Sequence, residues 1–205
     1  MAAADFWDER YAGEAFAYGE APNAFLASLA DRFPAGGRAL VPGDGEGRNG
    51  VFLATLGMRV ETLDLSPLGV AKARRLAAAR GVTLQAQQAD VLSWGWPVAA
   101  YDLIALLYLH LPEAGRRALH AHALAALKPG GLIVLEAFTP RQIDKQRAGA
   151  RGGPRDAALL YEPADLRADF AGAEIELCQE IETELGEGTL HVGPSAVARL
   201  VARRA

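Results

Sequence analysis

The sequence predicts an α/β fold: a Rossmann-like, seven-stranded, mostly parallel sheet with helices on both faces and a C-terminal antiparallel hairpin. Three observations lead to this prediction. Short apolar runs alternate with helical stretches over 38–138, which is typical of parallel sheets. The first apolar run leads into a cluster of glycines. Two strand-like runs flank Gly186-Glu187-Gly188, as in a hairpin at a sheet edge.

The individual elements follow from their boundaries. Strands are expected at 38–42, 59–65, 82–88, 101–107, 132–137, 174–185 and 196–203. A helix over 48–56 is ended by Gly57, and the next begins at Ser66-Pro67, an N-cap residue followed by proline at the first helical position. Helices are also expected at 112–128 and 162–170. An irregular stretch is expected near His191.

One domain, 1–205, accounts for the whole chain, since 205 residues suit a single core and no repeat or linker interrupts it. Its parts are an N-terminal helical segment (1–34), a ligand-binding core (38–138), a polar segment expected to be a mobile loop (139–158), and a last helix with the terminal hairpin (159–205).

Composition excludes several classes of function. The formal net charge is −4, which disfavours nucleic acid as the main partner. The single cysteine, Cys178, rules out a disulfide framework and is expected to be buried. Apolar runs are too short for a membrane span. The acidic, aromatic start lacks the features of a signal peptide, so a cytoplasmic location is expected. The sequence does not indicate an oligomeric state.

A glycine loop, 43–50 (GDGEGRNG), follows the first strand. Such glycines bring the backbone close to a ligand at the start of the next helix. Gly43, Gly45 and Gly47 fit the G-x-G-x-G loop of methyltransferases that use S-adenosylmethionine. Gly45, Gly47 and Gly50 fit G-x-G-x-x-G, the dinucleotide fingerprint. The loop by itself leaves both interpretations open.

Two aspartates stand where the second and third strands end. Asp64 lies about 20 residues after the loop, where a carboxylate can accept hydrogen bonds from ribose hydroxyls. Asp90 has two interpretations, an acceptor for an adenine amino group or part of a surface turn.

Further segments stand in a characteristic order along nearly the whole chain: 6–11 (FWDERY), 18–26 (YGEAPNAFL), 43–49, Asp64, 90–91, 101–112 (YDLIALLYLHLP), and 127–131 (LKPGG) leading into 136–138 (EAF). In this order they resemble the class I S-adenosylmethionine-dependent methyltransferases. Within that family they resemble the small bacterial branch grouped with tellurite-resistance and thiopurine methyltransferases. The Lys-Pro-Gly-Gly turn and the terminal hairpin favour this family over a dehydrogenase.

The resemblance implies a cofactor, S-adenosylmethionine, with S-adenosylhomocysteine as product and no metal. Residues 1–34 would form a helical cover, with Tyr18 against the sulfonium. The family usually has an acidic residue where this chain has Val41; Asp44 or Glu46 would compensate, or backbone carbonyls would bind the methionyl amine. The expected cofactor contacts are Tyr18, Gly43, Asp44, Gly45, Gly47, Asn49, Asp64, Leu65, Asp90 and Val91.

The expected reaction is in-line methyl transfer to a small-molecule nucleophile, such as a thiol or a metalloid oxyanion. The alternatives are an NAD-dependent oxidoreductase and a non-catalytic nucleotide-binding sensor module. His110, after the fourth strand, is the catalytic candidate, as a base or as a wall of the pocket. Tyr11, Arg141 and His191 are candidate substrate contacts.

The remaining histidines, His120 and His122, lie in the middle of a helix among charged and small neighbours and are expected at the surface. The four histidines show no ligand spacing, so no metal is expected.

Overall fold

The computed structural model describes residues 3–205; residues 1 and 2, the start of the expected cover, lie outside the described residues. The strands are β1 (Arg38–Pro42), β2 (Arg59–Asp64), β3 (Gln85–Gln88), β4 (Tyr101–Leu107), β5 (Leu127–Phe138), β6 (Ala173–Glu187) and β7 (His191–Arg204). They form one sheet in the order β3-β2-β1-β4-β5-β7-β6. β1 to β5 pair in parallel, and β7 pairs antiparallel with β5 and β6. The predicted fold class is confirmed.

The helices are α1 (Ala3–Tyr11), α2 (Ala24–Ser28), α3 (Arg48–Thr55), α4 (Pro67–Ala79), α5 (Glu113–Ala126), α6 (Gln142–Arg147) and α7 (Pro163–Asp169). Among the described residues, none of the helices has the length and apolar character needed to cross a bilayer.

Alternating residues of the central strands build two apolar cores. Leu40 and Ile104 face one side of the sheet, where Leu119 of α5 and Phe170, directly after α7, pack on them. Val41, one residue further along β1, faces the other side, in a second core that includes residues of α2 and α3. Because Val41 is 1% exposed, an apolar side chain suits this position.

Helix starts follow the predicted chemistry. The Ser66 hydroxyl accepts from the Gly69 N–H at 3.0 Å, and Pro67 is the first residue of α4. The same helix ends at Ala79, and Gly81, two residues later, has a φ of +67°. The Val82 N–H donates to the Ala77 carbonyl at 3.0 Å. Val82 therefore belongs to the end of α4, and β3 is shorter than the predicted strand.

The fifth strand is longer than predicted, because it includes the Lys-Pro-Gly-Gly turn. Tyr101 of β4 pairs with Leu127, and Leu103 pairs with Leu132, so residues 128–131 form a bulge within the strand. The predicted helix 112–128 ends two residues earlier than expected, at Ala126.

The segment 139–158, expected to be a mobile loop, contains the helix α6, so the loop prediction is wrong for residues 142–147. Gln142 is fully buried, its side-chain oxygen accepts from the Ala196 N–H at 2.9 Å, and its amide donates to the Gly152 carbonyl at 3.2 Å. Arg151 forms an isolated β-bridge with Val192. A polar, buried glutamine gives no apolar periodicity, which explains why the pattern did not indicate a helix.

The terminal hairpin is confirmed, but the irregular stretch expected near His191 is wrong. β6 and β7 pair up to Glu187 and His191, which face each other across the turn. Cys178 on β6 is buried, as predicted.

Candidate active site

The strand order reverses between β1 and β4, and a cleft opens beside the carboxyl ends of these strands, where open α/β sheets bind ligands. The cleft encloses about 410 Å³, counted to its open mouth, within the range of small-molecule sites. Its walls come from the N-terminal segment, the glycine loop, the end of β4 and the start of β7: Trp7, Tyr11, Tyr18, Gly43, Asp44, Gly45, Arg48, Asn49, Leu107, Tyr108 and His191.

The structure brings half of the predicted site residues together. Those that line the cleft are Tyr11, Tyr18, Gly43, Asp44, Gly45, Asn49 and His191. Those that do not line it are Gly47, Asp64, Leu65, Asp90, Val91, His110 and Arg141.

The glycine loop combines two functions. Gly45 has a φ of +57°, and a Cβ there would lie 2.5 Å from the Tyr11 hydroxyl, so its missing side chain lets α1 close over the loop. Gly47, with a φ of +92°, faces α4 instead, where a Cβ would lie 2.6 Å from the Cα of Ala73. Gly47 thus allows α3 and α4 to pack closely and does not line the cleft.

Gly47→Ala is expected to destabilise the fold by about 2–4 kcal/mol, because a strained φ adds to overpacking against a backbone atom. The matched control is Gly57→Ala, which has a φ of +82° with open space around the Cβ and is expected to cost about 1–2 kcal/mol. Urea unfolding of both variants measures the difference. If both variants lost the same free energy of unfolding, the close approach of Gly47 to Ala73 would make no contribution to stability.

Asp44 is the buried carboxyl of the cleft. Its Oδ2 accepts from the Gly50 N–H at 3.0 Å, whereas its Oδ1 is buried without a hydrogen-bond partner among the described residues. Burial raises the pKa of Asp44 to about 7. An unpartnered acceptor at this depth is costly unless a ligand supplies the donor.

Glu46, the other acidic residue of the loop, has its partners within the protein. Its carboxylate accepts from Lys72 Nζ at 2.7 Å and from the Ala17 N–H at 2.7 Å. Glu46 therefore links the N-terminal segment to α4. Of the two carboxylates expected to compensate for Val41, only Asp44 lines the cleft.

Asp64 lies beneath the N-terminal segment, 8% exposed. Its two carboxylate oxygens accept from the Gly45 N–H at 2.7 Å and from the Ser66 N–H at 2.9 Å. Burial raises its pKa. With Tyr11 packed above Gly45 and Gly69, Asp64 orders the loop and the start of α4 and does not line the cleft.

The predicted contacts after β3 also lie away from the cleft. Asp90 is exposed, and its Oδ1 accepts from the Leu92 N–H at 2.9 Å. This local bond favours the second interpretation of Asp90, as part of a surface turn. Val91 is buried in the core that contains Leu119, and Leu65 is half-buried.

Tyr18 closes the cleft from the N-terminal segment. Its hydroxyl accepts from Arg10 at 2.8 Å, and its ring centroid lies 4.5 Å from that of His191. Burial raises the pKa of Tyr18, so the ring stays neutral.

His110 is the main departure from the predicted site. Its Nδ1 donates to the Leu159 carbonyl at 2.7 Å, and its Nε2 accepts from the Phe138 N–H at 3.3 Å. These two bonds suit a neutral imidazole. Burial lowers the pKa of His110 to about 4. With both nitrogens engaged and no position on the cleft wall, the geometry argues against His110 as a base.

Arg141 lies outside the cleft. It is largely exposed and pairs with Glu182 of β6 at 2.6 Å. Its position at the start of α6 makes it part of the contact between that helix and the hairpin.

The expectation of a surface position is wrong for His120 and correct for His122. His120 is 1% exposed, and its Nδ1 lies 2.8 Å from Asp169, which also pairs with Arg116 at 2.9 Å. This cluster joins α5 to α7. His122, two residues further along α5, is exposed.

Four cleft residues were not among the predicted site residues: Trp7, Arg48, Leu107 and Tyr108. Tyr108 has a φ of +54° and follows β4, and a non-glycine residue with positive φ at a strand end is a frequent mark of a site. Arg48 directly follows Gly47 within the glycine loop, which was the signal available for it. Within residues 3–205, no cluster of His, Cys, Asp or Glu is arranged to hold a metal ion.

Residues 39–131 match the family model described as a methyltransferase domain. The ribosomal RNA small subunit methyltransferase C of Chromohalobacter salexigens is 37% identical over 117 residues. That match covers 52% of this chain and 34% of the relative, so the chain spans about a third of that protein's length. With such a relative, the expected exclusion of nucleic acid is not supported.

Two solved structures agree with this match. TehB from Haemophilus influenzae superposes with a TM-score of 0.73 at 16% identity, over 98% of this chain and 67% of that one. The N-methyltransferase NodS from Bradyrhizobium japonicum, in complex with S-adenosylhomocysteine, superposes with a TM-score of 0.71 at 15% identity, over 98% and 97% of the two chains. The oxidoreductase alternative is not favoured. The resemblance found in the sequence is confirmed: residues 39–131 match a methyltransferase domain, and the chain has the class I S-adenosylmethionine-dependent methyltransferase fold.

Proposed function

We propose that the protein transfers the methyl group of S-adenosylmethionine to a small-molecule nucleophile held in the cleft between β1 and β4. The observation that carries this proposal is Asp44 Oδ1, a buried acceptor without a partner among the described residues, in the cleft wall. The cofactor carries an ammonium group, which is a donor of the required kind. The residues of the cleft therefore fit this cofactor.

The cofactor supplies an activated methyl group on a sulfonium, so the protein has mainly to align the acceptor and exclude water. Asp44 and the loop at Gly43 and Gly45 would bind the cofactor, with Asn49 beside them. Tyr18 and Tyr108 would enclose the reacting atoms, and aromatic rings attract a sulfonium by about 0.5–2 kcal/mol.

Of the other predicted contacts, Gly47 and Asp64 would serve the cofactor indirectly, through the packing and the shape of the loop. Leu65, Asp90 and Val91 lie away from the cleft. Asp64 holds the Gly45 N–H and so shapes the loop. A direct bond from Asp64 to the ribose would have to form beside Tyr11, which packs on Gly45 and Gly69.

Calorimetry of the full chain with S-adenosylhomocysteine tests the proposal. Binding is expected, together with protection from thermal unfolding of about 2.7 kcal/mol when the ligand is at 100 times its dissociation constant. NAD, the matched control nucleotide, is expected to give no protection. Absence of heat with millimolar S-adenosylhomocysteine, or protection by NAD alone, would refute the proposed function.

A nucleic acid acceptor is the second candidate, favoured by the ribosomal RNA methyltransferase among the relatives. The formal net charge of −4 weighs against it. Transfer of a labelled methyl group from S-adenosylmethionine to protein-free ribosomal RNA, compared with transfer to small thiols and phenols, separates the two. Tight cofactor binding without transfer to either class would instead favour the non-catalytic sensor.

A further inference from the structure

His191 and Glu187 form a buried pair at the turn of the terminal hairpin. His191 Nδ1 lies 3.0 Å from Glu187 Oε2, and the two residues are register partners across β6 and β7. Their side chains are 8% and 10% exposed. A strand pairing thus holds the two groups at a fixed distance.

The partners of His191 determine its tautomer. A carboxylate only accepts hydrogen bonds, so Nδ1 must carry the proton and Nε2 must carry the lone pair. Nε2 has no hydrogen-bond partner among residues 3–205 and is not fully enclosed. His191 lines the cleft, and Nδ1 is engaged by Glu187. Nε2 is therefore the ring nitrogen that remains available to a ligand.

Aromatic rings surround the imidazole. The centroids of Tyr18 and Tyr108 lie 4.5 Å from that of His191, and the Phe138 centroid lies 5.2 Å away. Burial lowers the pKa of His191, and this effect outweighs the opposing influence of Glu187. Of the ionisable groups near the ring, Tyr18 and Tyr108 contact it and Glu187 bonds to it, whereas Arg10, Arg48 and His110 act on it electrostatically.

Arg48 connects this pair to the glycine loop. Its guanidinium lies 2.8 Å from the same Glu187 Oε2 that bonds His191, and it also donates to the Ala21 carbonyl at 3.2 Å. Arg48 follows Gly47 of the glycine loop, begins α3 and lines the cleft. The cofactor loop and the imidazole are thereby held in one arrangement through Glu187.

The other three histidines cannot take this position. His110 uses both ring nitrogens within the protein, His120 is buried against Asp169, and His122 is exposed on α5. Among the four histidines, His191 is the one that lines the cleft and has a ring nitrogen without a bond to the described residues.

We propose that His191 Nε2 is the general base for the transfer, that Glu187 and Arg48 position it, and that the acceptor is a neutral O–H or S–H compound. In the transfer the acceptor atom bonds to the methyl carbon, the carbon–sulfur bond breaks with its electron pair remaining on sulfur, and the acceptor's proton passes to Nε2. Glu187 would then balance the imidazolium. An oxyanion that is already ionised needs no such base. This inference rests on the proposed function.

The tautomer is tested by NMR of the ¹⁵N-labelled full chain with S-adenosylhomocysteine bound, at neutral pH, with His122→Asn to assist assignment. The imidazole nitrogen shifts of His191 are expected to show a protonated Nδ1 and a bare Nε2. Glu187→Gln is expected to change the tautomer populations of His191 and leave those of His120 unchanged. A protonated Nε2 in the wild type would overturn the proposal.

The chemical role is tested with a series of thiophenols and phenols that runs from acceptors ionised at neutral pH to fully protonated ones. His191→Asn is expected to lower kcat by about 10²–10⁴-fold for protonated acceptors and by much less for ionised ones, with KM for S-adenosylmethionine unchanged. His122→Asn is the matched control and should behave as the wild type. An equal loss across the series would overturn the proposal.

The two proposals fail separately. If S-adenosylhomocysteine does not bind, the proposed function fails, whatever the tautomer of His191. If it binds and Nε2 is protonated, only the role of His191 as the base fails. If no acceptor in the series is methylated by the wild type, the tautomer measurement alone decides whether His191 can act as the base.

Discussion

Replacing Glu136 with alanine is expected to lower the free energy of unfolding by about 3–5 kcal/mol, the range for breaking a buried ion pair from one side. Glu136 lies on β5 and is 1% exposed. One carboxylate oxygen accepts from Asn23 Nδ2 and from the Tyr108 hydroxyl, both at 2.6 Å, and the other pairs with Arg199 of β7. The carboxylate therefore joins the N-terminal segment, the end of β4 and the terminal hairpin.

Glu136→Ala is expected to lower the free energy of unfolding by this much because the partners of the carboxylate remain in place without it. Arg199 would keep its charge with 20% of its side chain exposed, and the Asn23 amide would lose its acceptor in a buried site. Asn23 also anchors the segment locally, since its side chain caps α2 and its N–H donates to Asn49 at 2.9 Å. The variant is therefore expected to loosen residues 18–23 as well as to unfold more easily.

Urea unfolding followed by circular dichroism measures the effect. The matched control is Glu20→Ala, which removes a glutamate–arginine pair at 2.9 Å whose side chains are about half exposed and should cost less than about 1 kcal/mol. Glu136→Gln keeps the shape and one acceptor and is expected to fall between the two. If Glu136→Ala cost no more than Glu20→Ala, the carboxylate would not be a structural junction.

The sequence allowed the sheet, its order of elements and the position of the glycine loop to be predicted, because these depend on local periodicity and on turn residues. The side-chain contacts in and around the cleft could not be predicted in this way. His110 was correctly placed after β4, yet the direction of its side chain is decided by the Leu159 carbonyl, 49 residues away. His120 was assigned to the surface from its charged and small neighbours in the helix, and this failed because its partner, Asp169, belongs to α7, 49 residues away.

For two other residues, Asp64 and Glu136, the sequence likewise did not reveal the hydrogen-bond partners. The spacing identified Asp64, but it could not reveal that the Gly45 and Ser66 N–H groups already bond to its oxygens. Glu136 was noticed only as part of a motif, since a lone glutamate in an apolar strand does not reveal its three partners. Side-chain partners that are distant along the chain set the chemistry of this site, and single-sequence patterns do not contain them.

Asp44→Asn is expected to weaken the binding of S-adenosylhomocysteine by about 30- to 1,000-fold, the loss of about 2–4 kcal/mol that follows when one partner of a buried charged pair is removed. Asparagine has the same shape, and its oxygen can still accept from the Gly50 N–H. Its amide would then direct N–H groups toward the ammonium of the ligand. The fold should remain intact, because a neutral side chain of the same shape replaces a buried ionisable group.

The pH dependence has a definite sign. Because the pKa of Asp44 is raised to about 7 in the free protein, the carboxyl holds its proton in mildly acidic solution. A cationic ligand binds the carboxylate and lowers that pKa. Binding is therefore expected to weaken by about tenfold per pH unit below 7 and to release up to one proton there.

Calorimetry in buffers of different ionisation enthalpy counts this proton. The wild type should release it on binding S-adenosylhomocysteine below pH 7, and Asp44→Asn should release none. The matched control ligand is 5′-methylthioadenosine, which has the nucleoside and the thioether but no ammonium, so its affinity should be the same for both proteins. An equal loss of affinity for both ligands would mean that Asp44 shapes the loop and does not bind the ammonium. Proton release that persists in the variant would assign the titration to another group, of which Asp64, buried beside the loop with a raised pKa, is the nearest candidate.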